Sequence, residues 1–173
     1  MVEVRGGGPV QGQLPHDLWS EVAHHLPKTI QKRELQVGAV ETLAHLPRAG
    51  LYAEVGTGKT LMATMIALIK RKRHGNKTIV LMPPILLEQW KRWLDSLYGG
   101  ITSLVYRGTP KQRLKLSFDF DFVLMSIQIF KADYERIFKA YSDRPVTLVV
   151  DEAVSIKNPG SQNHKAVREF ING

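Results

Sequence analysis

The run AEVGTGKT, Ala53 to Thr60, sits between a short apolar segment, Gly50 to Ala53, and Leu61 to Ile69, whose apolar residues recur at helical spacing. Strand, glycine-rich loop and helix in that order constrain this chain more than anything else in it. Small residues let backbone N–H groups curl round an anion, and a helix starting at Lys59 aims its positive end at the same point. Gly56, Thr57, Gly58, Lys59 and Thr60 are therefore candidate phosphate ligands, with Lys59 the mobile cation and Thr60 a hydroxyl ligand for Mg²⁺. Ala53 replaces the first glycine of the strict G-x-x-x-x-G-K-[ST] pattern. A ligand-free glycine-rich turn is the plainer alternative.

The rest of the chain repeats the strand-then-helix pattern. Asp17–Leu26 and Lys32–Leu46 look helical and end at Pro27 and Pro47. Thr78–Met82 is a β-branched run stopped by Pro83 and Pro84, and Ile85–Leu97 is amphipathic with a helical period. Ile101–Tyr106 reads as a strand, Gly108–Leu116 as a turn into a basic helix, Phe122–Ser126 as a strand and Ile127–Tyr141 as a helix. Val146–Val150 is the most strand-like run of all. Strands apolar throughout, alternating with helices, predict an α/β fold whose mainly parallel sheet is covered on both faces.

Asp151 and Glu152 leave the C-terminal end of that last strand, the edge where open α/β sheets bind ligands. Next to a phosphate loop the two carboxylates have separable jobs: Asp151 holds Mg²⁺ and Glu152 orients and deprotonates the attacking water. By itself, Asp-Glu after a strand is ordinary turn chemistry.

AEVGTGKT, IVLMPPILLEQWKRWL and VVDEAVSIKNPGSQNHKAV together resemble motifs I, Ia and II of superfamily-two helicases, and most closely the Swi/Snf group of double-stranded DNA translocases. The resemblance implies a three-layer αβα P-loop NTPase lobe of RecA type, with residues 1–30 an accessory segment and 31–173 the ATP-binding lobe. It implies ATP and Mg²⁺ as cofactors, with Lys59 and Glu152 catalytic. Gln36 matches the glutamine that reads adenine, and Arg33 is a candidate for stacking on the ring. Pro83, Pro84, Gln89 and Trp90 fall on motif Ia and Ser126 on motif Ib, which in the family touch the DNA backbone. Taken singly, Gln36, Trp90 and Ser126 read as an exposed polar group, a core aromatic and a strand-end cap. Val154 stands where the family usually has a histidine that links the ATP site to motif III.

Gly173 precedes the position of motif III and of a second RecA-like lobe with its arginine finger. The resemblance thus implies a piece, or a lobe completed in cis or in trans, hydrolysing ATP slowly or not at all by itself. It also implies that the motif III strand, which in the family lies between the P-loop strand and the DEA strand, is missing, so that the backbone groups facing the gap must pair elsewhere.

Composition is consistent with this. The length of 173 residues and 43% apolar content suit one domain. The absence of cysteine excludes disulfides and thiolate zinc sites, and no histidine spacing suggests a structural metal. No stretch has the length of a membrane span or the form of a signal peptide, so an intracellular protein is expected, nucleoid-associated if prokaryotic or viral and nuclear if eukaryotic. A net charge of +8 favours a nucleic acid partner, double-stranded DNA on the resemblance. The run Lys70–Arg73 reads as the cationic end of a helix that stops at Gly75. A non-catalytic interaction module built on such a lobe and a small-molecule kinase are the alternatives.

Overall fold

The computed structural model describes residues 2–5, 21–27, 48–49, 59–151 and 162–172. In chain order these form β1 (Val2–Arg5), a 3-10 turn (Ala23–His25), β2 (Arg48–Ala49), α1 (Lys59–His74), β3 (Lys77–Leu81), a second 3-10 turn (Pro84–Leu86), α2 (Leu87–Asp95), β4 (Ser103–Val105) and α3 (Pro110–Arg113). They continue with β5 (Phe122–Met125), α4 (Ile127–Ala132), α5 (Tyr134–Ala140), β6 (Val146–Val150) and α6 (Gln162–Asn172).

One sheet runs β2-β1-β6-β3-β5-β4. From β6 to β4 every neighbour is parallel. Alternate residues of the buried strands feed two cores. Val80, Phe122, Leu124 and Val149 pack with α1 and α2 on one face, through Met62, Met65, Ile66, Ile69, Leu87, Trp90 and Leu94. Ile79, Leu81, Val123, Met125, Leu148 and Val150 pack with α4, α5 and α6 on the other, through Phe130, Ile137 and Phe170. Burial on both faces explains strands that are apolar at every position, and gives the expected three layers. Phe170 lies edge-on to Phe130 with ring centroids 5.4 Å apart, an arrangement aromatic quadrupoles favour.

α1 ends as its composition predicts. Arg71, Lys72, Arg73 and His74 occupy the last turn, and Gly75, at φ +73°, donates to the Arg71 carbonyl over 2.9 Å. Periodicity predicts one helix over Ile127–Tyr141, but the structure breaks it at Asp133, whose φ and ψ are −105° and 21°. The carboxylate there accepts from Arg113 Nε at 2.8 Å and from the Tyr106 hydroxyl at 2.6 Å. That pair holds the Asp133 pKa below its ordinary value, the Arg113 hydrogen bond contributing most. The basic helix expected over Gly108–Leu116 is a single turn, α3, closed by a Thr109–Gln112 capping box. α6 and β1 are elements beyond those expected from the sequence.

β1 changes the picture of the sheet. It runs antiparallel to both β6 and β2, so it fills the position between them. The gap expected beside the DEA strand is closed by the chain's own N-terminal residues. Of the helices expected near the N-terminus, Lys32–Leu46 lies outside the described residues, and so does the whole strand expected over Gly50–Ala53. No described helix is long and apolar enough to cross a membrane.

Residues 21–27 are fastened to the main body. Glu21 pairs with Arg73, Val22 enters the α1–α2 core, and the Tyr98 amide donates to the His25 carbonyl at 2.7 Å. His25 Nδ1 in turn donates to the Tyr98 carbonyl at 2.7 Å, and a Cβ on Gly99, at φ +84°, would come within 2.5 Å of that ring. Desolvation holds the His25 pKa below its ordinary value against the opposing Tyr98 hydrogen bond, with His24, Arg71 and Lys72 adding repulsion. His74 is lowered too, by desolvation and by Lys70 and Arg73. An imidazole with a depressed folded pKa takes up its proton more readily when unfolded. Its contribution to stability is therefore complete above about pH 6.5 and is lost as pH falls below that value. Thermal melts from pH 7.5 to 5 are expected to show a falling midpoint, with a shallower slope in His25→Asn; equal slopes would exclude His25 as a source.

Candidate nucleotide and nucleic-acid site

The register of the parallel strands builds one functional edge. Leu81 lies level with Met125 on one side and with Val150 on the other. Met82, Ser126 and Asp151 therefore leave the sheet side by side. The Met82 amide donates to the Met125 carbonyl at 3.1 Å and the Asp151 amide to the Leu81 carbonyl at 2.8 Å, carrying the ladder to its limit. Asp151 is only 2% exposed, an unusual degree of burial for a carboxylate.

α1 opens toward the same edge, since it packs on β3 and β6 and ends at His74, just before Lys77 starts β3 at the opposite edge. No acidic residue lies in the first turn of α1, the end of the helix that carries the positive dipole. Thr60 is half-buried there and its carbonyl accepts from the Thr64 hydroxyl at 2.8 Å. The same hydroxyl accepts from Trp93 Nε1 at 2.9 Å, tying the first turn of α1 to α2. Sequence alone did not single out Thr64 or Trp93, because their pairing joins positions 29 apart.

Thr60 and Asp151 supply a hydroxyl and a carboxylate, hard oxygen donors of the kind Mg²⁺ takes. Among the described residues no three His, Asp or Glu side chains gather as a metal site. Of the other candidates, Gln36, Arg33, Gly56, Thr57, Gly58 and Glu152 lie outside the described residues, as does the Lys59 side chain.

The motif Ia and Ib candidates separate by exposure. Pro84 and Gln89 are exposed, as is Ile85 at 87%. Trp90 is 3% exposed within the α1–α2 core, and Ser126 is buried with its hydroxyl accepting from the Ile129 amide at 3.2 Å as the cap of α4. These are the packing and capping roles that the two residues suggest when taken singly.

A family model described as the SNF2-related domain matches residues 36–173. The chain belongs to the SNF2-related family. Two relatives are the mouse chromodomain-helicase-DNA-binding protein 1-like, 30% identical over 125 residues, and the Saccharomyces cerevisiae ISWI chromatin-remodeling complex ATPase ISW1, 29% identical over 157 residues. These matches cover 68% and 81% of this chain but only 14% and 13% of those proteins. Among solved structures, the Sulfolobus solfataricus SWI2/SNF2 ATPase core in complex with dsDNA superposes with a TM-score of 0.63 at 23% identity, over 81% of this chain and 30% of that one. The likeness establishes a RecA-like α/β fold for the SNF2-related chain, in agreement with the layers and the parallel strands.

The α1–α2 tie gives a direct check on this side of the site. Trp93→Phe removes one hydrogen bond and is expected to cost about 1 kcal/mol in urea unfolding, whereas Thr64→Val strands the indole N–H and costs about 1–3 kcal/mol. The double variant should lose less than the sum of the two, and strict additivity would show that the pair does not interact.

Proposed function

We propose that this SNF2-related chain is the ATP-binding lobe of an ATP-dependent translocase on double-stranded DNA. Residues 31–173 make up the lobe, and residues 1–30 an accessory segment that lends it β1. One observation carries the reading: a family match from residue 36 onward coincides with a buried carboxylate, Asp151, on the sheet edge toward which α1 opens its positive end.

In this reading the amides of Gly56, Thr57, Gly58 and Lys59 surround the ATP phosphates, and the Lys59 ammonium neutralises the outer ones. Gln36 hydrogen-bonds the adenine edge, which selects ATP, and Arg33 stacks on the ring. Thr60 and Asp151 hold Mg²⁺ between them. Bound there, the ion screens charge on the phosphates. Glu152 orients a water and takes its proton.

Pro84 and Gln89 stand exposed on the 3-10 turn and the start of α2, where they can follow a phosphate backbone without reading bases. Trp90 and Ser126 serve that surface from behind, as its packing and its cap. A second RecA-like lobe, in cis or in trans, completes the motor, because a single lobe offers one half of the nucleotide cleft. The relatives named as chromatin-remodeling and helicase proteins, and the neighbour solved on dsDNA, support DNA as the track. The net charge of +8 supports it as well.

Isothermal titration with MgATP tests the reading. Lys59→Ala removes a charge-assisted contact and is expected to weaken binding by roughly 10- to 100-fold. Equal affinity in the two proteins would overturn the assignment.

A further inference from the structure

The edge of the sheet that carries Asp151 continues past Ser126 to β4. Val105 lies level with Leu124, and the Tyr106 amide donates to the Leu124 carbonyl at 2.7 Å, so Arg107 leaves β4 level with Ser126 and Met82. In the strand order β6-β3-β5-β4 it stands three strands from Asp151, about 14 Å along that edge. α2 packs across β5 and β4, which brings its first turn to the same place. There Arg107 Nη2 donates to Glu88 Oε1 at 2.8 Å, with the two side chains 54% and 61% exposed. Glu88 is the neighbour of Gln89, and Pro84 and Gln89 stand exposed beside it.

We infer that Arg107 is a phosphate contact of the duplex track, held in reach of it by Glu88. This rests on the DNA reading above and extends that surface from α2 to the end of β4. Arg113 and Arg136 are spent on Asp133, on the Tyr106 hydroxyl and on loop carbonyls. Arg107 instead uses Nη2 alone among the described residues, which leaves the rest of its planar fork for a second acceptor. A bare carboxylate next to Gln89 would repel a phosphate, and the guanidinium cancels that charge. The competing role is a surface ion pair that ties α2 to β4. Pairs this exposed contribute little to stability, and either partner is equally needed for such a tie.

The test measures binding of a fluorescently labelled duplex DNA to the full chain across a range of salt. Arg107→Gln is expected to weaken binding on the order of tenfold at about 0.1 M salt and to reduce the salt slope by about 0.9, equally on two unrelated sequences. Glu88→Gln frees the guanidinium and removes a like charge, so it is expected to bind at least as tightly as the full chain. Lys139→Gln makes the same change of charge on an exposed side chain in the last turn of α5, and is expected to leave the slope unaltered. An unaltered slope in Arg107→Gln would overturn the inference while leaving the DNA reading in place. So would equal weakening by Arg107→Gln and Glu88→Gln, the mark of a broken tie, or an equal loss in Lys139→Gln, the mark of net charge alone. Failure of the full chain to bind the duplex at any salt would instead overturn the DNA reading, and this inference with it.

Discussion

The hydrogen-bond register between β3 and β6 is the constraint from which the site follows. Five consecutive pairs, Lys77 with Val146 through Leu81 with Val150, fix how far each strand extends toward the ligand edge. A slip of one residue in β6 would turn Leu148 and Val150 from one core into the other and misplace Asp151 with them. Both faces are filled with close-packed apolar side chains, so a slip would have to repack two cores at once. The burial of Asp151 is thus a product of core packing, whatever chemistry it serves.

The basic charge also reads differently once the side chains have partners. Arg71 pairs with Asp121 and Arg73 with Glu21, while Arg113 grips Asp133. Arg136 donates to the Tyr106 hydroxyl and to the carbonyls of Arg113, Leu114 and Leu116, and its guanidinium lies 5.0 Å from the Phe118 ring. These cations fasten loops and helix ends to the core. A net charge counted from composition therefore overstates the positive surface left for a polyanion.

Much of this was legible in the sequence, for reasons that can be named. Strands β3, β5 and β6 are continuous apolar runs, and α1 carries both a helical period and a glycine stop, so local signals and tertiary packing agree there. The break at Asp133 was hidden because its cause, Arg113, lies 20 residues away. β1 was hidden more deeply. Its four residues, VEVR, alternate apolar and charged, but so short a run carries little weight by itself, and its place in the sheet is set by pairing with a strand that starts 144 positions later. Among the candidate site residues, Thr60 and Asp151 fall on the edge the motifs required. The side chains of Trp90 and Ser126 are spent on packing and capping, the roles that residue type alone proposed for them.

The account stands on Thr60 and Asp151 serving one metal from two arms of the sheet. Replacing Mg²⁺ with paramagnetic Mn²⁺ in the presence of ATP, on uniformly labelled protein, examines this residue by residue in NMR spectra. The account predicts that the signals of Thr60 and Asp151 broaden first and together, at substoichiometric Mn²⁺, while those of Tyr134–Ala140 in α5 persist. Broadening at Thr60 that leaves Asp151 sharp, or broadening that spares both, would contradict it.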